Sequence, residues 1–228
     1  MPSFDIVKEH NAGESFRVES IIQKFELQSN LIKEKFVGEI DLDFDWNIGL
    51  IVGASGTGKT TILKELFSEH LKKPKAYSAN SIVDDMPKNC SMEQITRTFN
   101  SVGFSSPPSL LKPYKVLSNG EKMRVDLARS LLAKKPITVF DEFTSVVDRN
   151  VAKIGSLAIQ KTIRKADRKF IACTCHHDVE FWLMPDWVFS TDDMTFKKKS
   201  TTSQKCESKF SKQKKKKSYG KCLLNTTI

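Results

Sequence analysis

The stretch Gly53-Ala54-Ser55-Gly56-Thr57-Gly58-Lys59-Thr60 constrains this chain more than any other. It fits G-x-x-x-x-G-K-[ST] without a mismatch, comes after the apolar run Ile48 to Val52, and precedes a helical stripe of Ile62, Leu63, Leu66, Phe67 and Leu71. Glycines let backbone N–H groups close on an anionic phosphate chain, and the next helix adds the positive end of its dipole. Gly53, Ala54, Ser55, Gly56, Thr57, Gly58, Lys59, Thr60 and Thr61 are therefore the candidate nucleotide contacts. Lys59 would reach the β- and γ-phosphates, and Thr60 would hold Mg²⁺. A Gly/Ser/Thr surface turn accounts for the loop alone, but not for the motifs downstream of it.

At 228 residues the chain suits one α/β domain with a sizeable core. Its formal charge of +10 is unevenly placed. Residues 197–228 hold eleven lysines and one acid, Glu207, which leaves 26 basic and 26 acidic side chains in residues 1–196. The region expected to fold is neutral. The tail, rich in Lys, Ser and Thr, reads as a disordered segment, and its charge allows salt-dependent attraction to nucleic acid by counterion release. It holds only Phe210 and Tyr219 as aromatics, which is a poor stacking surface.

Five cysteines, an odd number without framework spacing, point to a reduced, cytoplasmic setting. The start, Met1-Pro2-Ser3-Phe4-Asp5, has no basic-then-apolar leader pattern, and no run approaches the ~18 apolar residues of a membrane span. No membrane insertion by the chain itself is expected.

Residues 1–15 read as an extended lead-in, and residues 16–196 as the folded domain. Alternation of apolar and polar residues over Phe16 to Phe25 and Phe36 to Phe44 predicts two strands, an antiparallel layer ahead of the phosphate loop. Short strands are expected at Ala76-Tyr77 and Ser81-Ile82-Val83. Ser91-Met92-Glu93-Gln94 and Ser118-Asn119-Gly120-Glu121 fit capping boxes, each opening an amphipathic helix. Ile137-Thr138-Val139-Phe140 and Phe170 to Cys175 read as buried strands ending at Asp141-Glu142 and His176-His177-Asp178, with a helix from about Arg149 to Lys165 between them. Alternating strands and helices, with polar residues clustered where strands end, indicate a parallel sheet with its site along the carboxyl edges.

A phosphate loop is shared by many nucleotide-dependent classes. The feature that separates them here is Leu117-Ser118-Asn119-Gly120-Glu121, with Asp141-Glu142 placed 23 residues after Ser118, then Phe143-Thr144-Ser145-Val146-Val147-Asp148, and a histidine 34 residues after Glu142. This order resembles the ATP-binding cassette family over roughly residues 16–196. Leu117 to Glu121 stands where that family's LSGGQ signature stands, and Phe143 replaces the proline of its PTSALD. The stretch from Leu117 to Trp187 is similar to a soluble subfamily in which the cassette occurs alone or joined to a predicted acetyltransferase domain.

The resemblance implies a P-loop α/β fold with a reduced helical subdomain, and hydrolysis of ATP with Mg²⁺. Asp141 would hold the Mg²⁺ shell, and Glu142 would accept a proton from the attacking water. Ser118 and Gly120 would face the γ-phosphate held by a second copy, which implies a head-to-tail homodimer with two ATP molecules. His176 is the candidate γ-phosphate histidine, with His177 as its rival. Phe25, 28 residues before Gly53, is the candidate adenine-stacking aromatic, and a core strand residue is the competing account. No glutamine stands where the family's Mg²⁺- and water-sensing residue is expected; Asp85 is the candidate replacement.

Cys173, Cys175, His176 and His177 could be taken for a metal cluster, but Cys-x-Cys on a strand without a second ligand pair reads as a buried strand. Only 59 residues separate Lys59 from Ser118, a shorter interval than transport cassettes use to build the subdomain that grips a membrane subunit. This favours an ATPase free of a transport channel; a homodimer is the expected assembly, and an unlike protein partner is a further candidate. The alternatives are the ATP-binding subunit of a membrane transporter and an ATP-gated nucleic-acid-binding module.

Overall fold

The computed structural model describes residues 3–71, 76–133 and 135–199. The tail beyond Lys199, with Cys206 and Cys222, lies outside them.

The chain opens with β1 (Ser3–Asn11), α1 (Phe16–Lys24) and β2 (Leu31–Glu39). β1 and β2 pair antiparallel, from Ser3 opposite Glu39 to Asn11 opposite Leu31. The expected antiparallel layer is present, but different residues build it. Its first strand lies within the supposed lead-in, and Phe16 to Lys24 is a helix. Ser15 decides the difference: its hydroxyl accepts the Val18 N–H and caps the first turn. Phe16, Val18, Ile21, Ile22 and Phe25 then recur at a spacing a helix accommodates as well as a strand does.

The central sheet holds five strands among the described residues, in the order β4-β5-β3-β6-β7. These are β3 (Ile48–Val52), β4 (Ile137–Phe140), β5 (Lys169–Thr174), β6 (Trp187–Ser190) and β7 (Thr195–Lys198). β3 runs parallel to β5 and β6, β4 runs parallel to β5, and only β7 is antiparallel to its neighbour. β7 takes Lys197 and Lys198 into the sheet, so the fold extends past Phe196.

β3 is buried along its whole length and divides the core. Ile48, Leu50 and Val52 face the helices α3 (Met92–Ser101), α5 (Asn119–Leu132) and α6 (Arg149–Ala166). Ile51 faces the other way, toward Trp46, Phe4, Phe36 and the helix α2 (Lys59–Phe67). Gly49 shares that second face because Trp187 lies across it; a Cβ there would stand 2.0 Å from the indole.

Between α2 and α5 stand α3, the four-residue helix α4 (Pro107–Leu110) and a short 3₁₀ turn (Tyr114–Val116). The helical subdomain is accordingly small. The strands expected at Ala76-Tyr77 and Ser81-Val83 are absent, because acidic side chains close the loop on itself. Asp85 accepts the Ser78 and Ala79 N–H groups, and Ser81 donates to Asp84 at 2.7 Å. Both capping boxes form as expected, at Ser91/Gln94 and Ser118/Glu121.

Candidate active site

The carboxyl ends of β3, β4 and β5 meet at a cavity of about 350 Å³. Ser55, Gly56 and Gly58 line it from the loop after β3, Lys59, Thr60 and Thr61 from the first turn of α2, Asp141, Glu142 and Ser145 from the turn after β4, and Cys173 to Cys175 from the end of β5. Gly58 starts α2 in a left-handed conformation, φ +82°, and a Cβ there would stand 2.4 Å from the Phe36 ring. Glycine is thus required twice over, by backbone angle and by the close approach of β2.

Gly53, Ala54 and Thr57 are in the loop but turn toward the residues after β6. The Ala54 N–H donates to Asp192 at 2.8 Å, and the Thr57 and Thr191 hydroxyls lie 2.5 Å apart. Lys59 folds its ammonium onto the Ala54 carbonyl at 2.5 Å.

Thr60 Oγ1 donates to Asp141 Oδ2 at 2.9 Å, while Asp141 Oδ1 accepts the Glu142 N–H. Two hard oxygen donors in contact, one of them a carboxylate, suit Mg²⁺, which takes few protein ligands and fills its shell from phosphate and water. Glu142 and Thr144 both have positive φ, 53° and 67°. The turn after β4 is held in this form by the Phe143 N–H, which donates to the Cys173 carbonyl of β5 at 2.7 Å.

Burial, with the Asp141 charge beside it, pushes the Cys173 thiol well above its ordinary pKa. It is a packing thiol, not a thiolate ligand. Among the described residues no group of three or more His, Cys, Asp and Glu could hold a metal ion.

His176 and His177 come after β5, and neither lines the cavity, although Thr174 and Cys175 just before them do. The His176 N–H donates to Thr174 Oγ1, and its buried Nδ1 has no hydrogen-bond partner. Burial, then the Arg149 charge, lowers its pKa against the opposing pull of Asp178, and the lowered value favours the uncharged ring. His177 instead lies 3.3 Å from Asp192.

Ser118 and Gly120 lie at the start of α5 and do not line the cavity. The Ser118 hydroxyl accepts the Glu121 N–H, and Glu121 is held below the ordinary carboxylate range by the Ser118 N–H it accepts. Two further candidates are not brought to the site. Phe25 is 62% exposed at the end of α1, and Asp85 is committed to its own loop. Phe36, Lys8 and Glu34 of the β1–β2 layer stand at the cavity instead. Sequence reasoning missed these three because period-two strand residues carry no mark of what they cover. Asp192 could have been found: like Asp141, it stands close after a strand's carboxyl end.

No protein-family model matches the chain. It is 29% identical over 130 residues, 53% of the chain, to a probable ATP-binding cassette sub-family F member 3 homolog of Encephalitozoon cuniculi, of which it covers 23%. It is also 29% identical over 154 residues, 50% of the chain, to the mitochondrial iron-sulfur clusters transporter ATM1 of Candida albicans, of which it covers 20%. The chain thus spans about a quarter or less of these relatives' length. The ATP-binding cassette MJ0796, solved as a dimer in a post-hydrolysis state with ADP and Pi, matches 85% of this chain and 98% of its own at 12% identity, TM-score 0.57. A bacterial Atm1-family exporter with ATP bound matches 65% of this chain and 32% of its own at 19% identity, TM-score 0.53.

The fold is that of an ATP-binding cassette. Both transporters and a sub-family F protein are among the proteins this chain resembles, and no helix among its described residues is long and apolar enough to cross a membrane.

Proposed function

We propose that the chain is a Mg²⁺-dependent ATPase of the ATP-binding cassette family, similar to its soluble subfamily. The observation that carries this reading is the convergence of Lys59, Thr60, Asp141 and Glu142 on one cavity at the carboxyl ends of β3 and β4. The backbone from Ser55 to Thr60 and the Lys59 ammonium would bind the triphosphate, and Thr60 and Asp141 would hold Mg²⁺. When bound, the ion supplies charge stabilisation to the phosphoryl oxygens. Glu142 takes a proton from water as its oxygen attacks the γ-phosphorus, and the bond to the β–γ bridging oxygen breaks to release ADP. The hydrogen bond from the Phe143 N–H to the Cys173 carbonyl holds the turn that carries both carboxylates.

Ser118 and Gly120 are proposed to complete the site from a second copy, in a head-to-tail homodimer. Their absence from the lining of the cavity within one chain supports this reading, because a residue that contacts nucleotide only across an interface has no reason to line its own pocket. His176, adjacent to cavity residues, is the proposed γ-phosphate contact.

The short 59-residue interval and the small α3–α4 segment support work apart from a transport channel. Phosphate release by wild type, Lys59→Ala and Glu142→Gln tests the reading. Turnover should fall by about 10²–10⁴-fold in Glu142→Gln with ATP binding kept, and Lys59→Ala should lose tight binding. Turnover that survives Glu142→Gln removes that residue from its role.

A further inference from the structure

A second and larger cavity, about 840 Å³, runs along β4, which is an edge strand among the described residues. Nothing in the proposed ATP cycle uses it. Its size falls within the range of small-molecule sites, which are apolar with a few placed polar groups. Tyr77, Pro87, Val139 and Phe140 supply apolar wall, and Arg129 and Lys135 supply cations.

The wall is built, not frayed. Tyr77 and Tyr114 stack face to face at 3.8 Å, and both hydroxyls donate to the Asp126 carboxylate of α5 at 2.7 Å. The Arg129 guanidinium lies over the Tyr77 ring at 4.3 Å. Asp126 is therefore already spoken for by two donors. Thr138 also lines the cavity. It is only 4% exposed, yet its Oγ1 has no hydrogen-bond partner. A buried hydroxyl left without a partner is unfavourable, and a bound acceptor or donor would satisfy it.

Asp141 lines this cavity as well as the phosphate cavity. It stands just past the carboxyl end of β4, and Lys135 stands before the amino end, with roughly 13 Å of strand between. A negative group is thus repelled at one end and attracted at the other.

We propose that this cavity binds a small molecule with a flat apolar body and one anionic group, and that its occupancy alters nucleotide affinity through Asp141. The coupling, but not the binding, rests on the ATPase reading. The anion sits toward Lys135 and Arg129, the flat body lies against Tyr77 and Phe140, and Thr138 gains its missing partner. Because coupling between two ligands is reciprocal, Mg-ATP must shift the affinity of this ligand by the same factor.

The test uses 1-anilinonaphthalene-8-sulfonate, which has this shape and charge, in a fluorescence titration of the full chain. Saturable binding of one molecule per chain is expected, abolished by Ser130→Trp, which fills the cavity from α5, and weakened about tenfold by Lys135→Glu. Lys135→Glu keeps the test decisive if Ser130→Trp fails to fold. No saturable binding, or binding that ignores both changes, overturns the site. In Glu142→Gln, saturating Mg-ATP should change the dye affinity about fivefold or more. Unchanged affinity in a protein shown to bind ATP overturns the coupling; failure to bind ATP at all would count against the ATPase reading, while leaving the dye site standing.

Discussion

Gly58→Ala measures how firmly the β1–β2 layer is locked to the phosphate loop. An alanine at φ +82° sits in the left-handed region, a cost of about 1–2 kcal/mol. Its Cβ would also stand 2.4 Å from the Phe36 ring, so ring or loop must move, and overpacking of this kind costs about 1–3 kcal/mol. The two together come to about 2–5 kcal/mol, a large share of the ~5–15 kcal/mol that holds a typical domain. Phe36→Ala alone should cost about 3–5 kcal/mol, because the ring is buried against Gly58. In the double variant the collision is gone and only the backbone strain remains. It should therefore be about 1–3 kcal/mol more stable than the sum of the single losses. Urea unfolding of the four proteins, monitored by the fluorescence of the buried Trp46 and Trp187, reads this directly. Additivity within about 0.5 kcal/mol would show that the Phe36 ring does not fill the space over Gly58.

Ser118→Ala should lose about 1 kcal/mol of stability through the cap alone, with Ser118→Asp recovering most of it in the same urea titration. Asp186 accepts the Asn47 and Ile48 N–H groups and pairs with Arg164 at 2.9 Å, largely out of solvent; Asp186→Ala should cost about 3–5 kcal/mol, and a loss under 1 kcal/mol would contradict that role. The hydrogen bond from Arg149 holds the Asp178 carboxyl below the ordinary range, so the stability it adds is present above an aspartate's usual pKa and lost as pH falls through the depressed value. The stability gap between wild type and Arg149→Ala should therefore narrow from about pH 5 toward pH 3, and protonation of His176, which Arg149 disfavours, acts in the same direction. Thermal melts across that range would contradict the assignment if the gap widened.

The residues whose chemistry is local were legible in the sequence. The phosphate loop announces itself because turn, lysine and hydroxyl must stand at fixed offsets, and the capping boxes because both partners lie within four residues. Asp141 and Glu142 were legible from an apolar run that ends in two acids, although β4 stands at the edge of the described sheet and only Thr138 in it is buried. The antiparallel layer was seen, but its members were misplaced, because the cap at Ser15 outweighs an apolar pattern compatible with either structure. The loop from Ala76 to Met86 looked strand-like in its apolar residues, and its acidic side chains, by hydrogen-bonding neighbouring groups, drew it into turns. Phe36 over Gly58 and Asp192 beside Ala54 depend on contacts between elements far apart in the chain, where no spacing rule reaches.

The central claim is an ATP-dependent pairing of two cassettes in which Ser118 and Gly120 of each complete the other's site. Light scattering of Glu142→Gln with and without Mg-ATP tests it most directly. The account predicts a shift from the 25.8 kDa of one chain to twice that mass, only with nucleotide, and its loss on Ser118→Arg. A protein that binds ATP and stays a single chain at every nucleotide concentration would contradict it.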